Sequence, residues 1–386
     1  MENNYLPQAL VILAIISSIA GTAQVLESSS ALDAKIAGLA PIAPVLPKIQ
    51  ITVLAASSCT DCFDLSGNVS EAKSAGVNVT EEKKVEYDSA EGKALVSKYS
   101  IKKVPAFVIT GETSGASLAL SDLGTRASDG AIVFDKQAPV YIDTATGEAK
   151  GRVAVTLLQD SSCGDCAEYS SIIGQLSASG VKISNTTRVE YSDEAGKRII
   201  SQYNISKVPS IILSKGAADY EFLAAGWSNV GDVAADGSLV LRKNTPPYRD
   251  VARDEIAGRV KVVYLSDESC KECYDPSMHK PILIGFGLKV VDEKNESVQS
   301  SEGKLLVSKY NVTAVPTILV SPDAAEYGQF MQVWAQVGSV EKDGWLVFRE
   351  VGTALQGKAG VYKDLSTGKQ IPLTPTPVPS PAANAS

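Results

Sequence analysis

The sequence has little histidine and no cysteine outside three pairs, the residues on which zinc sites mostly depend. It has a single histidine, His279, and all six of its cysteines lie in three Cys-x-x-Cys pairs. A zinc site needs two further ligands per pair, so zinc would have to bridge two domains. No Gly-x-Gly-x-x-Gly follows a strand-like run, so no flavin or nicotinamide site is indicated. We therefore expect no cofactor and no bound metal, with the cysteines themselves carrying any electrons.

Excess positive charge is also missing. The chain has 36 Lys and Arg against 44 Asp and Glu, a formal net charge of -8. The basic residues are scattered and form no stripe, so we expect no nucleic-acid partner. The length of 386 residues is sufficient for several domains, each with its own core.

What is present is a threefold repeat. Each cysteine pair is followed by a Val-Pro, and each proline lies 46 residues after the first cysteine of its pair. The pairs are Cys59/Cys62, Cys163/Cys166 and Cys270/Cys273, and the Val-Pro steps are Val104-Pro105, Val208-Pro209 and Val315-Pro316. A fixed separation found three times predicts one folding unit in three copies, in which the cysteine pair and the proline meet in space.

Further positions recur in the same register. A glycine comes 33 residues after each first cysteine, a tyrosine 40 residues after it, and an Asp-Gly later still. These residues are Gly92, Gly196 and Gly303; Tyr99, Tyr203 and Tyr310; and Asp129-Gly130, Asp236-Gly237 and Asp343-Gly344. The period is domain-sized, which indicates a tandem array of domains and not a solenoid. We expect domains at residues 48–150, 151–258 and 259–370.

The two ends of the chain differ from the repeats. Residues 6–23 form an uncharged apolar stretch that suits a signal peptide or a signal anchor, although no basic residue precedes it. We expect residues 1–24 to direct export and to remain as a membrane anchor, with residues 25–47 as a linker. Residues 371–386 are rich in Pro, Thr and Ser and are expected to be an extended, unpacked tail.

Glycosylation sequons give moderate support to an extracytoplasmic location. Seven asparagines have Ser or Thr two positions on with no intervening proline: Asn68, Asn78, Asn185, Asn204, Asn295, Asn311 and Asn384.

The order of elements within a repeat follows from the apolar pattern. A β-rich run leads into each cysteine pair, where a helix is expected to begin. A second strand, an amphipathic helix and a third strand after the Val-Pro come next, and the stretches at 222–230 and 330–337 read as a fourth strand. The Asp-Gly predicts a β-hairpin. Pro276 and Pro281 predict a short or kinked first helix in the third repeat.

This pattern resembles the thioredoxin-like fold over about residues 48–350. The segment YNVTAVPT at 310–317 is similar to the signature around that family's cis-proline. The resemblance implies tandem α/β domains, each with a mixed central sheet flanked by helices. It also implies that Val104, Val208 and Val315 offer backbone groups to an extended substrate, beside the prolines Pro105, Pro209 and Pro316.

The sequence also departs from the family pattern. The usual Trp-Cys-Gly-Pro-Cys is absent, and an Asp or Glu precedes every second cysteine: Asp61, Asp165 and Glu272. No acidic residue is evident on the strand before the cysteines. A β-hairpin is expected in place of the last helix.

Cys-x-x-Cys at a helix start can close a disulfide, and the helix dipole favours a thiolate on the first cysteine. The acidic neighbour opposes this, so we expect the thiol pKa to be lowered only modestly. Cys59, Cys163 and Cys270 would attack a substrate disulfide, and Cys62, Cys166 and Cys273 would resolve the mixed disulfide. The protein would then be an exported, membrane-tethered thiol–disulfide oxidoreductase, with exported protein substrates and a redox partner protein.

One alternative remains open. The pairs could be permanent structural disulfides, as is common in exported domains. The protein would then be a redox-inert thioredoxin-like scaffold or binding protein, because the fold alone does not fix function. The retention of all three Val-Pro steps in register favours chemistry.

Overall fold

The computed structural model describes residues 45–115, 118–355 and 360–373. The expected signal segment, most of the expected linker and most of the expected tail lie outside the described residues. By internal contacts the chain forms two compact units. Among the described residues, the first includes those up to Thr52 and those within Ser66–Lys83 and Phe107–Val133. The second includes Val53–Leu65, Lys84–Ala106 and the described residues from Phe134 on, and it contains all three cysteine pairs and Val-Pro steps.

The helices and strands recur with the sequence repeat. In the first repeat they are β1 (Lys48–Ala55), α1 (Ser66–Ser74), β2 (Asn78–Glu86), α2 (Ala90–Tyr99), β3 (Lys103–Val104), β4 (Ala106–Gly111), α3 (Leu118–Asp122), β5 (Thr125–Arg126), β6 (Ile132–Phe134), β7 (Tyr141–Asp143) and β8 (Ala149–Lys150). In the second they are β9 (Arg152–Gln159), α4 (Ser170–Ala178), β10 (Lys182–Glu190), α5 (Glu194–Tyr203), β11 (Lys207–Val208), β12 (Ser210–Leu213), α6 (Glu221–Gly226), β13 (Gly231–Val233), β14 (Leu239–Leu241), β15 (Tyr248–Asp250) and β16 (Glu255–Ala257). In the third they are β17 (Arg259–Ser266), α7 (Lys280–Gly285), β18 (Lys289–Ser297), α8 (Ser301–Tyr310), β19 (Ala314–Val315), β20 (Thr317–Val320), α9 (Gly328–Val337), β21 (Gly338–Val340), β22 (Leu346–Phe348), α10 (Val351–Ala354), β23 (Val361–Asp364) and β24 (Gln370–Pro372). Short 3-10 helices lie at Thr113–Gly115, Lys215–Asp219, Trp227–Asn229, Pro276–His279 and Pro322–Glu326.

Each repeat has a five-stranded sheet and a three-stranded sheet. The five-stranded orders are β2-β1-β4-β6-β5, β10-β9-β12-β14-β13 and β18-β17-β20-β22-β21. The three-stranded orders are β3-β7-β8, β11-β15-β16 and β19-β23-β24. In the second and third repeats the first two strands pair in parallel and the others antiparallel, which makes each sheet mixed. The predicted tandem thioredoxin-like α/β fold is confirmed.

The predicted hairpin in place of the last helix is also confirmed. The Asp-Gly turns connect β5 to β6, β13 to β14 and β21 to β22, and all three pairs are antiparallel. The turn glycines Gly130, Gly237 and Gly344 have φ near +85°, as their values of +86°, +84° and +83° show. Glycine adopts this left-handed conformation without strain, which explains its place in the turn.

The prediction of a fourth strand at 222–230 and 330–337 is wrong, because both stretches are largely helical. In the third repeat Phe330 and Trp334 lie one helical turn apart in α9, both buried, with ring centroids 5.2 Å apart. An i, i+4 aromatic pair on one helix face stabilises the helix. Strand β21 begins only at Gly338.

The prediction that a helix begins at each cysteine pair is also wrong. Helices α1 and α4 begin at Ser66 and Ser170, after a succession of turns. In the second repeat those turns are held by the Cys163 N–H donating to Asp160 and the Cys166 N–H donating to Cys163. In the third repeat, the expected short helix is confirmed, because α7 has six residues where α4 has nine.

The core lies on both faces of the five-stranded sheets. Along β17, Val260, Val262 and Tyr264 pack on one face with Phe330 and Trp334. Leu265 packs on the opposite face in a separate cluster with Tyr310 of α8. Alternating side chains thus place helices on both sides of the strand that leads into the cysteine pair. Full burial of each such side chain contributes about 1.5–3 kcal/mol relative to exposure.

The first compact unit has its own buried residues. Val69 and Ala72 of α1 are buried, as are Ile49 and Ile51 of β1. The Thr113 hydroxyl donates to the carbonyl of Gly130 at 2.6 Å and so closes the loop before the hairpin β5–β6.

Candidate functional site

All three Cys-x-x-Cys pairs are disulfide-bonded, with 5.4 Å between the Cα atoms of each pair. The first cysteine of each pair is buried: Cys59 is 8%, Cys163 6% and Cys270 7% exposed. The second cysteine of each pair is half-buried. Access to each disulfide is therefore greater on the side of the second cysteine.

The structure brings the cysteine pair and the proline together in the second repeat. Cys163, Cys166 and Pro209 line one open cavity of about 290 Å³, together with Asp160 and Tyr169. In the third repeat, the hydroxyl of Tyr274, which follows Cys273, donates to the carbonyl of Pro316 at 2.6 Å. The bonds Val104–Pro105, Val208–Pro209 and Val315–Pro316 are all cis.

The three valines before these prolines are fully buried, and the chain itself engages their backbones. Val104 is paired with Ile142 of β7, and the Thr144 N–H donates to the Lys102 carbonyl at 3.0 Å. Hydrogen-bonded pairs alternate along an antiparallel ladder, so Val104 and Ile142 form the next such pair. The same pattern pairs Val208 with Arg249 and Val315 with Lys363.

Substrate binding by these valines stays a prediction, and the pairing adds a condition to it. An extended substrate could bond to Val104, Val208 or Val315 only after β7, β15 or β23 had moved from its position.

A buried carboxylate lies beside two of the three pairs, one residue past the end of the strand that leads into the cysteines. Asp160 and Asp267, three residues before Cys163 and Cys270, are 7% and 5% exposed. Asp160 accepts from Arg249 Nε at 2.8 Å, and Asp267 accepts from Lys363 Nζ at 2.6 Å.

The pKa of Asp160 results from opposing effects. Burial raises it, but hydrogen bonds from Ser162 and Arg249 outweigh burial and leave the pKa of this carboxyl below its usual range. Asp160 is therefore ionised and paired at neutral pH. The first repeat has buried Ala56 and Ile142 at the two corresponding positions. The sequence carried a signal for this pairing, because the two positions are acidic and basic in the second and third repeats but both apolar in the first.

The acidic residue inside the first two pairs is also matched by an arginine. Asp61 accepts from Arg152 Nε at 2.8 Å and from Arg152 Nη2 at 2.6 Å. Asp165 accepts from Arg259 Nη2 at 2.6 Å and from its Nε at 3.2 Å. The hydrogen bonds from these guanidinium groups lower the pKa of both carboxyls. Sequence reasoning missed both arginines, which begin β9 and β17 more than 90 residues after the cysteines they approach.

His279, which has no counterpart in the other two repeats, is buried. Its ring lies edge-on to Phe348 with centroids 4.7 Å apart, and its Nε2 is 3.4 Å from the Tyr274 hydroxyl. Burial lowers the pKa of His279 to about 4, so the imidazole is neutral at pH 7. Within residues 45–115, 118–355 and 360–373, no three His, Cys, Asp or Glu side chains are grouped to hold a metal ion.

No helix in the described part of the chain is long and apolar enough to span a bilayer. The apolar stretch at residues 6–23 is outside that part, so the expected anchor stays a prediction.

The chain matches no protein-family model and no curated protein. It is similar to the NTD_N/C domain of alkylhydroperoxide reductase AhpF from Enterococcus faecalis, with 16% identity over 44% of this chain and 81% of that one, at a TM-score of 0.16. It is also similar to ERdj5, with 13% identity over 75% of this chain and 40% of that one, at a TM-score of 0.15. Zinc-bound human ERp44 gives 10% identity over 70% and 79%, at a TM-score of 0.14. At these scores the likenesses support no conclusion, and the fold assignment rests on the chain's own sheets.

Proposed function

We propose that the protein is a thiol–disulfide oxidoreductase that exchanges disulfides with other proteins through its Cys-x-x-Cys pairs. The observation that carries this is the cavity of the second repeat. The Cys163–Cys166 disulfide and Pro209 line it together, and it is open to solvent. A disulfide placed on an open cavity is accessible to an attacking thiolate, whereas a purely structural bridge needs no such opening.

The exchange needs only the two cysteines and the substrate's sulfurs. In the reducing direction, the thiolate of the first cysteine attacks a substrate disulfide. A sulfur–sulfur bond forms between protein and substrate, the substrate's own disulfide breaks, and one substrate thiolate leaves. The second cysteine, as thiolate, then attacks the first cysteine's sulfur, which closes the pair and releases the other substrate thiolate.

Two electrons pass from the pair to the substrate in this sequence, and the protons lost by the cysteine thiols balance those gained by the leaving thiolates. The same steps in reverse oxidise a dithiol substrate. A redox partner protein, itself a dithiol or a disulfide, must restore the starting state. The substrates we propose are exported proteins with thiols or disulfides.

Export and membrane tethering are part of the proposal. They rest on the apolar stretch at residues 6–23 and on the sequons. Five sequon asparagines are exposed, as glycan attachment requires: Asn78, Asn185, Asn204, Asn295 and Asn311. In cells expressing the full chain, the repeats should fractionate with the membrane. Protease added to the intact cells should then degrade them, and repeats that are protected from the protease would contradict export.

A second candidate function has specific support. The first cysteines are buried. The backbone groups of the valines expected to bind substrate are already paired with β7, β15 and β23. Both features suit a redox-inert scaffold with structural disulfides.

Variants with a single intact pair distinguish the two functions. Each variant keeps one pair and has serine at the other four cysteines. We expect the variant that keeps Cys163/Cys166 to catalyse insulin reduction in the presence of a dithiol reductant. Replacing Cys166 by serine in that variant should then trap a mixed disulfide at Cys163, detected by mass spectrometry.

The variant with all six cysteines replaced is the control for background reduction. If no single-pair variant exceeds this control in insulin reduction or in oxidative refolding, the scaffold is the better account. Capture by Cys166 alone would instead reverse the assigned roles of the two cysteines.

A further inference from the structure

We propose that Arg152 and Arg259 are positioning residues that stabilise the thiolates of Cys59 and Cys163, each from the repeat that follows the pair it serves. The first two pairs are then stronger oxidants than the third. This inference rests on the proposed function, because it concerns thiols that form only when the pairs are reduced.

The guanidinium groups are fixed beside the first sulfur. Nη2 of Arg152 lies 3.9 Å from Cys59 Sγ, and Nη2 of Arg259 lies 3.9 Å from Cys163 Sγ. Two N–H groups of each arginine already bond to the neighbouring carboxylate, which sets the plane of the fork. The carboxylates of Asp61 and Asp165 therefore hold each guanidinium in an orientation in which Nη2 faces the sulfur of the first cysteine.

The backbone that presents each arginine is also fixed, and in the same way twice. The residue before Arg152 is Gly151, whose carbonyl accepts from the buried Tyr220 hydroxyl at 2.8 Å. That hydroxyl in turn accepts from the Lys182 N–H at 2.9 Å. Ahead of Arg259, the carbonyl of Gly258 accepts from the Tyr327 hydroxyl at 2.7 Å. The same tyrosine–glycine hydrogen bond thus precedes both arginines, so the position of the arginine is a shared feature of the second and third repeats.

The arginine matters most in the reduced state. A thiolate on Cys59 would face an Asp61 oxygen that lies 3.6 Å from the sulfur, and Cys163 faces Asp165 at 3.5 Å. The like charge disfavours the thiolate, whereas the guanidinium at 3.9 Å favours it. Stabilising the thiolate stabilises the dithiol form, and so makes the disulfide a stronger oxidant.

Other charges around these sulfurs do not reverse the effect. Lys182 and Lys289 add positive charge near Asp61 and Asp165 respectively. In the second repeat, Asp160 lines the cavity with Cys163, but its charge is matched by Arg249. Glu168 also lines this cavity and is exposed, so solvent screens it.

The third pair provides an internal comparison. Glu272 occupies the position of Asp61 and Asp165. Among residues 45–115, 118–355 and 360–373, no arginine lies within hydrogen-bond distance of Cys270 Sγ. Cys270 thus has the acidic neighbour without the guanidinium.

The test uses full-length chains with one intact pair each, reduced and then alkylated with iodoacetamide across pH. Arg152→Gln with only Cys59/Cys62, and Arg259→Gln with only Cys163/Cys166, should raise the pKa of the first thiol. We expect alkylation at pH 7 to slow threefold to tenfold, since a charge within 4–6 Å shifts a pKa appreciably. The glutathione equilibrium should shift towards the disulfide by up to about tenfold, or about 30 mV. The effect should be larger at Cys163, because Asp165 and Arg259 are less exposed than Asp61 and Arg152.

Several matched variants separate charge from structure. Arg152→Lys should restore most of the alkylation rate, because it keeps the charge. Asp61→Asn should change the rate in the opposite direction, because the guanidinium is then free for the thiolate. Arg198→Gln removes one positive charge from an exposed site on α5 and should change nothing. The Cys270/Cys273 pair should respond to neither arginine variant.

The outcomes are distinct. If wild-type pairs equilibrate with glutathione and reduce insulin, but both Arg→Gln variants keep the wild-type alkylation profile, the inference is overturned and the proposed function stands. If circular dichroism shows that the Arg152→Gln chain misfolds, the Asp61→Asn variant takes its place. An unchanged alkylation profile in that variant would equally overturn the inference. If no wild-type pair exchanges with glutathione or insulin, the proposed function and the inference fall together.

Discussion

Buried charge beside the cysteine pairs is balanced locally in this chain. Asp160 and Asp267 each pair with a cation from the same repeat, Arg249 of β15 and Lys363 of β23. The first repeat has the apolar residues Ala56 and Ile142 at these two positions. An unpaired buried carboxylate would cost several kcal/mol, so the two positions have to change together. The comparison between repeats therefore shows a coupled pair without any outside relative.

His279 is the other buried ionisable side chain with a distinct consequence. In the second repeat, the position nine residues after the first cysteine is Ile172, which packs against an apolar cluster. The third repeat keeps a neutral imidazole in the comparable place, with its pKa lowered to about 4 by burial. The folded state then binds fewer protons than the unfolded chain, in which the pKa of histidine is about 6.5.

This difference predicts an acid sensitivity confined to the third repeat. The stability from neutral His279 is fully present above about pH 6.5 and is lost as the pH falls towards 4. Between pH 7 and pH 5 the loss should be about 2 kcal/mol. His279→Ile should remove that part of the pH dependence, measured by urea unfolding of the full chain at both pH values. Parallel pH profiles for wild type and variant would show that His279 does not titrate as described.

Sequence reasoning could identify the residues that carry the repeat but not all of their partners. The cysteines and prolines were evident because their spacing is constant. Arg152 and Arg249 were not, because each reaches its aspartate from about 90 residues away. Such pairings depend on how strands are arranged in space, which a spacing pattern within one repeat does not contain.

At the level of helices and strands, the recurring glycine has a steric explanation. Gly92, Gly196 and Gly303 lie in the first turns of α2, α5 and α8, where an added Cβ would collide with backbone carbonyls at the end of the preceding strand. The helix can therefore approach the sheet edge only with glycine at this position. Gly174 in α4 is different, because nothing lies within 4 Å of an added Cβ there.

The two glycines should respond oppositely to alanine. Gly303→Ala should destabilise the third repeat by about 1–3 kcal/mol through overpacking. Gly174→Ala should stabilise the second by about 0.5–1 kcal/mol, because alanine lowers the entropy lost on helix formation. Chemical denaturation of both variants checks this, and equal effects at the two sites would rule out the steric account.

The recurring tyrosine and the recurring Asp-Gly are one feature in the second and third repeats. The Tyr203 hydroxyl donates to Asp236 at 2.9 Å, and the Tyr310 hydroxyl donates to Asp343 at 3.0 Å. This bond ties the end of the helix to the hairpin turn. The apolar pattern predicted the helix and the Asp-Gly predicted the hairpin. The apolar pattern could not decide between helix and strand at 330–337, where a short apolar run fits either.

At the scale of the whole molecule, the same contacts recur between consecutive repeats. The Tyr141 hydroxyl lies 3.5 Å from Asp219, and the Tyr248 hydroxyl donates to Glu326. Arg253 also reaches Glu326, with Nη2 3.5 Å from its carboxylate. Burial, followed by the Glu326 carboxylate, raises the pKa of Tyr248. The sequence predicted three copies but gave no sign of these junctions.

Removing this carboxylate should loosen the junction between the second and third repeats. Glu326→Ala leaves the buried Tyr248 hydroxyl without its acceptor, at a cost of about 1–3 kcal/mol. Calorimetry of the full chain should then show a lower or divided transition. Glu326→Gln keeps an acceptor and should lose less, and Tyr248→Phe should abolish most of the effect of Glu326→Ala in the double variant. Additive losses would mean that the two residues are not coupled.

Arg152 of the second repeat and Arg259 of the third contact the cysteine pair of the repeat before them. Under the proposed function, the reactivity of a pair would therefore depend on the neighbouring repeat as well as on its own. On that proposal, removing or reordering one repeat would change the reactivity of a sulfur in another repeat that was itself left intact. A fragment would then differ from the full chain in its redox potential even where the fragment folds correctly.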